Sequence, residues 1–269
     1  MNLLRYIKHW IEKSGQAENV HQTLFQLSEI RNKNANSKFR KAFPNIAFPP
    51  NSLLFETGSL HYGNYIQSGK EAAAELHSLC TLFHPEPIES IVDWGCGTGR
   101  VTRHLHHYFP EARITGIDAN PACIEWLQHN IPDIDWQLGS YQLQNKLPAY
   151  SVDLIIALSV LTHLPAADQP QWMQQLHKQL HTNGLIWLST HGSKYDYQLT
   201  GAQRAQLLEK GILTLGAEQT GSRAMRTYHT YKGMQQLIQK DWQLILYYNG
   251  AKFPGVLGGQ DAWLLKKLG

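Results

Sequence analysis

"IVDWGCGTGR", residues 91–100, is the stretch on which the reading of this chain turns. An apolar run leads into it, and Asp93 stands two positions ahead of the first of three glycines spaced G-x-G-x-G. The apolar run predicts a short buried strand over 90–94, and "GRVTRHLHHYF" beyond the glycines predicts a helix. A glycine-rich turn between a strand and its helix lets a ligand approach bare backbone and meet a helix N-terminus. The question is which ligand tolerates a carboxylate beside that turn.

The same strand-then-helix rhythm continues downstream. "ARITGID" (112–118) predicts a second strand, and "PACIEWLQHN" a helix with Pro121 near its first turn. "DIDWQLGS" and "SVDLIIALSV" (151–160) predict a third and a fourth strand. "DQPQWMQQLHKQLHTNG" predicts a helix stopping at Asn183-Gly184, and "GLIWLSTHG" a fifth strand. Alternating units of this kind imply an α/β fold with a parallel sheet wound on both faces. Beyond Gly192 the pattern loosens into a polar, partly helical insertion (193–230). A helix ("YKGMQQLIQK") and two strands ("WQLILYYNG", "QDAWLLKK") then close the chain. Residues 1–85 read as an N-terminal helical extension. It holds two short amphipathic helices up to about 30, a solvated basic linker "RNKNANSKFRK" (31–41), a proline-rich extended stretch and a long helix from 71. The expected organisation is thus 1–85, 86–192, 193–230 and 231–269.

Composition narrows the class without naming a function. The 269 residues are 42% apolar and 17% charged with a formal net charge of +3, ordinary for a soluble globular chain and too weakly basic to argue for nucleic acid. Cys80, Cys96 and Cys123 show no pairing pattern and read as reduced thiols. The first fifteen residues are broken by charges, and no apolar run reaches the ~20 residues of a membrane span. A cytoplasmic protein is expected.

Asp118, at the end of the second strand, is placed to bind the two hydroxyls of a ribose. That feature and the glycines serve any adenosine-containing ligand. Asp93 separates the candidates. Next to a pyrophosphate it would repel, by roughly 1 kcal/mol at ~4 Å in water and more in a drier cleft. Next to an ammonium it would attract. S-adenosyl-L-methionine carries a ribose and an ammonium and no phosphate, whereas a nicotinamide cofactor carries the diphosphate.

"VDWGCGTGR", "GID" and "SVDLIIALSVLTHLP" resemble motifs of the class I S-adenosylmethionine-dependent methyltransferases, closest to bacterial small-molecule enzymes. The likeness covers about 60–192 and returns weakly at "QDAWLLKK". It implies a Rossmann-like, doubly wound seven-stranded sheet, mostly parallel with an antiparallel last strand, and cofactor above the carboxyl ends of strands one to four. It implies cofactor contacts from Asp93, Gly95, Cys96, Gly97 and Gly99 in the loop, and from Asp118 and Ala119 after the second strand. Ser140 or Tyr141 after the third strand would replace the acid often found near the adenine, and Ser159 follows the fourth. Upstream, "GSLHYGNYIQSGKE" (58–71) corresponds to a lid, with Tyr65 and Gly69 as contacts.

For the acceptor, Ser159-Val160-Leu161 is not the Asn/Asp-Pro-Pro-Tyr stretch of enzymes that methylate nucleobase or glutamine nitrogens. After strand four no acid occurs before Asp168, and after strand five none before Asp196, which argues against a magnesium site. His163 and His191 end strands on the cofactor side and are candidate general bases, with His229 in "RTYHTY" a third. His177 and His181, four apart on the predicted helix, and His104, His106 and His107 lack acidic or thiol companions and read as solvated faces. The expected reaction is metal-independent, in-line transfer to a small-molecule hydroxyl. Nitrogen methylation, RNA or protein substrates, a nicotinamide oxidoreductase and a non-catalytic binding module are the alternatives.

Overall fold

The computed structural model describes residues 17–57, 60–140, 151–216, 225–253, 255 and 257–269. The chain divides into two compact units, Met1–Ile66 and Gln67–Gly269. In the first, helix α1 (Ala17–Ala42) is followed by α2 (Asn51–Thr57) and the opening turn of α3 (Tyr62–Phe83). Residues 31–41 are therefore helical, not the linker their polarity suggested. The asparagines that lower helix propensity find partners here: Asn32 donates to the Ser28 carbonyl (2.8 Å), and Asn36 donates to the Leu60 carbonyl (2.7 Å) and accepts the Tyr62 amide (3.0 Å). Phe39 meets Phe43 and Phe48, and the Arg40 guanidinium donates to the Tyr62 hydroxyl. Tertiary contacts override a weak local preference. Tyr65, 1% exposed, packs with Leu54, Leu60 and Tyr62 in this unit's aromatic cluster.

The second unit is built on a seven-stranded sheet. Its strands are β1 (Ser90–Trp94), β2 (Arg113–Asp118), β3 (Asp135–Leu138), β4 (Val152–Ala157), β5 (Leu180–Thr190), β8 (Trp242–Tyr248) and β9 (Asp261–Lys267), in the order β3-β2-β1-β4-β5-β9-β8. β9 runs antiparallel to both of its neighbours, and the β1–β2, β1–β4, β2–β3 and β4–β5 pairs are parallel. The expected Rossmann-like architecture is thus observed. Successive strand residues feed opposite faces: Ile91, Leu154, Ile156 and Trp187 enter one core, while Val92, Ile155, Ile186 and Trp263 enter the other. Burial on both faces explains why stretches such as "LIIA" (154–157) are continuous apolar runs with no polar alternation.

Local departures have local causes. After the glycines the chain forms a 3-10 turn (Thr102–His104) and one helical turn, α4 (Leu105–Tyr108), in place of one long helix. Helix α5 (Pro121–Asn130) starts as expected, its cap Asn120 accepting the Ala122 amide. Helix α6 (Gln169–Gln179) stops earlier than predicted, because β5 begins at Leu180 and carries Asn183 in a left-handed conformation (φ 67°) inside the strand. His177 and His181 therefore do not share a helix; His181 lies 4.0 Å from Asp153. The insertion holds a 3-10 segment (Ser193–Gln198) and α7 (Gly201–Lys210), opened by a Thr200–Gln203 capping box. A two-stranded antiparallel sheet of β6 (Ile212–Leu215) and β7 (Arg226–His229), unforeseen from sequence, follows, then α8 (Tyr231–Ile238). Among the described residues no helix is long and apolar enough to cross a membrane.

Candidate cofactor site and the adjoining polar cleft

The glycine loop leaves β1 and is stitched to the end of β2. The Gly95 and Cys96 amides donate to the Ile117 carbonyl (2.8 and 3.0 Å), and the Gly97 amide donates to Asp118 Oδ2 (2.7 Å). Asn120 donates its amide to Asp118 Oδ1 (2.8 Å), and the Gly139 amide donates to the Asp118 carbonyl (2.8 Å), which sets Ser140 beside the same residue. Gly95, Gly97 and Gly99 have φ of 70°, 55° and 72°, a region that side chains with a Cβ enter at a cost. Space forbids a side chain as well. A Cβ on Gly95 would come 2.6 Å from Val160 Cγ2, and one on Gly99 2.8 Å from Leu127 Cδ2.

Asp118 is the acid at the strand end beside the glycine loop. Burial raises its pKa, and the amides of Asn120, Gly97 and Ala119 work against that rise. Oδ2 accepts the Gly97 amide and Oδ1 the Asn120 amide, and a carboxylate offers about four lone-pair positions, so acceptor capacity remains. The amides of Gly95, Cys96 and Gly97 are spent on Ile117 and Asp118, so they cannot cradle a diphosphate.

Asp93 stands elsewhere than the charge argument placed it. It is 4% exposed beneath the loop, and its carboxylate accepts the Thr102 hydroxyl at 2.6 Å. Burial lifts its pKa to about 7, with Thr102 and Arg100 pulling down and Asp118 pushing up. Near neutral pH it is only partly ionised and anchors the turn after the glycines. Cys96 is buried, and burial followed by the two nearby acids holds its thiol well above the ordinary range. Gly69 has a packing reason to lack a side chain: a Cβ there would lie 1.9 Å from the Arg100 carbonyl oxygen. Tyr141 falls outside the described residues.

At the carboxyl ends of β4 and β5 the polar groups converge differently from expectation. Ser159 has φ 63°, a strained conformation for a residue with a side chain. Its amide donates to Ser189 Oγ (2.8 Å), its hydroxyl donates to Gln260 Oε1 (2.9 Å), and Ser189 Oγ donates to the same oxygen. His163 ends a 3-10 turn (Leu161–His163) just beyond and is half-buried. Ser189 and Gln260 escaped the sequence reading; no local motif marks them, and Gln260 is 101 residues from Ser159.

His191 and His229 are not the ready bases their positions suggested. His229 is 2% exposed, and its Nε2 bonds Gln169 Oε1 at 2.8 Å while Gln169 Nε2 donates to the Leu161 and Leu164 carbonyls. This is a structural clamp. His191 is 9% exposed, its ring 4.3 Å from that of Tyr195. Burial drops the pKa of each to about 3; His163 and Arg226 depress His191 further, and His191 depresses His229. Both Nδ1 atoms are buried without a partner. A histidine this hard to protonate is a poor proton acceptor.

The sign of the pH effect follows. Below the ordinary histidine value of about 6.5 the unfolded chain takes up protons that folded His191 and His229 refuse, costing about 1.4 kcal/mol per pH unit for each. Asp93 acts oppositely: with its folded value near 7, it favours the folded state as pH falls from about 7 to 4. The histidine contribution, to which His104 with its pKa lowered to about 4 adds, therefore falls on acidification from pH 6.5 to 5. His229→Asn should flatten that decline in calorimetric melts; an unchanged slope would refute the assignment.

The fold and this loop resemble those of the class I S-adenosylmethionine-dependent methyltransferases. Residues 91–184 match the family model described as a methyltransferase domain. Among curated relatives, trans-aconitate 2-methyltransferase of Escherichia fergusonii is 44% identical over 101 residues, 38% of this chain and 39% of that protein. The Escherichia coli O7:K1 protein of the same name is 34% identical over 122 residues, 45% and 47% of the two chains. The matched part is thus less than half of these relatives. Among solved structures, an amino pentose methyltransferase from Micromonospora echinaspora with S-adenosylmethionine bound superposes with TM-score 0.55 at 13% identity, covering 77% of this chain and 94% of that one. The 1,6-didemethyltoxoflavin N1-methyltransferase of Burkholderia thailandensis gives 0.54 at 14%, covering 76% and 80%. These two likenesses concern the fold.

Proposed function

We propose that the chain transfers the methyl group of S-adenosylmethionine to an acidic oxygen of a small carboxylic acid. The observation that carries this reading is the state of the histidines. An alcohol must lose a proton as it attacks, and His191 and His229 are buried with pKa near 3. A carboxylate is already anionic at neutral pH and needs no base. The names of the relatives, trans-aconitate 2-methyltransferase, point to an acceptor of the same chemistry.

In this reading Asp118 holds the ribose and the glycine loop bounds the methionine end. The acceptor enters beside Ser159 and His163, with 193–216 and 225–230 as its cap. One carboxylate oxygen forms a bond to the methyl carbon as the carbon–sulfur bond breaks. The bonding pair returns to sulfur, leaving a methyl ester and S-adenosylhomocysteine with no proton released. The protein aligns the three atoms and excludes water, and no step calls for a metal. The sequence-level expectation of a hydroxyl acceptor would rest on His163 alone.

The test incubates the protein with S-adenosylmethionine and either di- and tricarboxylic acids, trans-aconitate among them, or sugars. The expected result is S-adenosylhomocysteine production with the acids and a methylated product that alkali hydrolyses, as esters do and ethers do not. An alkali-stable methylated sugar would refute the acid reading. A steep loss of activity between 50 and 200 mM salt on RNA, the mark of phosphate contacts, would replace it with a nucleic-acid one.

A further inference from the structure

Gln260 is the group best placed to decide which acceptors this cleft takes. It immediately precedes β9, whose first residue pairs with Thr190 at the end of β5, so it belongs to the carboxyl-end rim that also carries the glycine loop. Contact with the loop is short-range: Gly95 packs against Val160, and Val160 follows Ser159, which donates its hydroxyl to Gln260. The orientation of the Gln260 amide is set by its neighbours. Ser189 Oγ already accepts the Ser159 amide, so its own hydrogen is available to a carbonyl, and the Ser159 hydroxyl supplies a second. Oε1 faces the serines and accepts both hydroxyls. The amide Nε2 then turns away from them. Among the described residues it makes no hydrogen bond, and it is not a buried unpartnered atom, so it is open to solvent. The strained backbone of Ser159 is held by the same contacts, and strain of this kind gathers where geometry serves a ligand.

We infer that Gln260 Nε2 donates a hydrogen bond to a carboxylate of the acceptor and so selects acidic small molecules; this rests on the acid-acceptor reading above. The serines orient the donor, and Gln260 delivers it.

Gln260→Glu tests the claim. Glutamate retains an oxygen to accept both serine hydroxyls, but it replaces the Nε2 donors with an acceptor oxygen whose charge repels an acid. With the acid that the wild-type protein methylates best, the variant should raise the acceptor KM tenfold or more, while the S-adenosylmethionine KM and the S-adenosylhomocysteine Kd stay within twofold. If both KM values rise together, or neither moves, Gln260 only supports the fold and the inference is overturned. Should the glutamate variant fail to bind S-adenosylhomocysteine, Gln260→Met, uncharged and of similar length, takes its place with the same expected split and the same overturning results. If the wild-type protein methylates no acid, the functional reading falls first and this inference falls with it, which separates that failure from a flat response of the variants.

Discussion

Asp118→Ala is expected to weaken S-adenosylhomocysteine binding about a hundredfold, about 3 kcal/mol, in calorimetric titration. Two losses add. The carboxylate that would accept the ribose hydroxyls is gone, and charge-assisted hydrogen bonds of this kind contribute more than neutral ones. The Gly97 and Asn120 amides also lose the oxygens that hold the loop and the start of α5 in register. Asp118→Asn separates the two effects, because its side-chain oxygen can still accept one amide; it should fall between wild type and alanine. Affinity within threefold of wild type in Asp118→Ala would remove this residue from the cofactor site.

Gly95→Ala should lower folding stability by about 2–4 kcal/mol and take cofactor binding with it. The backbone at φ 70° costs a side chain about 1–2 kcal/mol on conformational grounds. The new Cβ would also stand 2.6 Å from Val160 Cγ2, and valine has little rotamer freedom with which to retreat. The two contributions separate in a cycle. Val160→Ala in the Gly95→Ala background should recover the steric part and leave the conformational part. Thermal melts of the four proteins measure both; a Gly95→Ala protein as stable as wild type would show that the loop has another conformation within reach.

The consequences of misplacing a few side chains show how much can be read from a chain alone. The glycine spacing, the acid ending "GID" and the alternation of apolar runs with helical stretches were legible because each is local. A glycine at positive φ, a ribose-binding acid at a strand end and a buried strand all leave their mark within ten residues. The helix over 31–41 was not legible, since its asparagines and Phe39 are satisfied by residues up to 26 positions away. The β6–β7 pair was missed because "ILTL" and "RTYH" are only four residues each, too short for a period to show.

The chemistry divides along the same line. His191 and His229 looked like bases because histidine titrates near neutrality in water; packing by Tyr195, Tyr228 and Gln169 removes that water and moves the titration out of range. Asp93 looked like a surface charge, and burial against Thr102 makes it a partly neutral anchor. Ser159, Ser189 and Gln260 form a cluster that no spacing announces. What the order of residues determined by itself was the architecture and the glycine loop with its strand-end acid, because periodicity and backbone freedom are properties of short segments. Only the tertiary structure decided which carboxylate is buried, which histidines lose their water and that Ser159, Ser189 and Gln260 come together, because solvent exclusion and distant contacts exist only once the chain has folded.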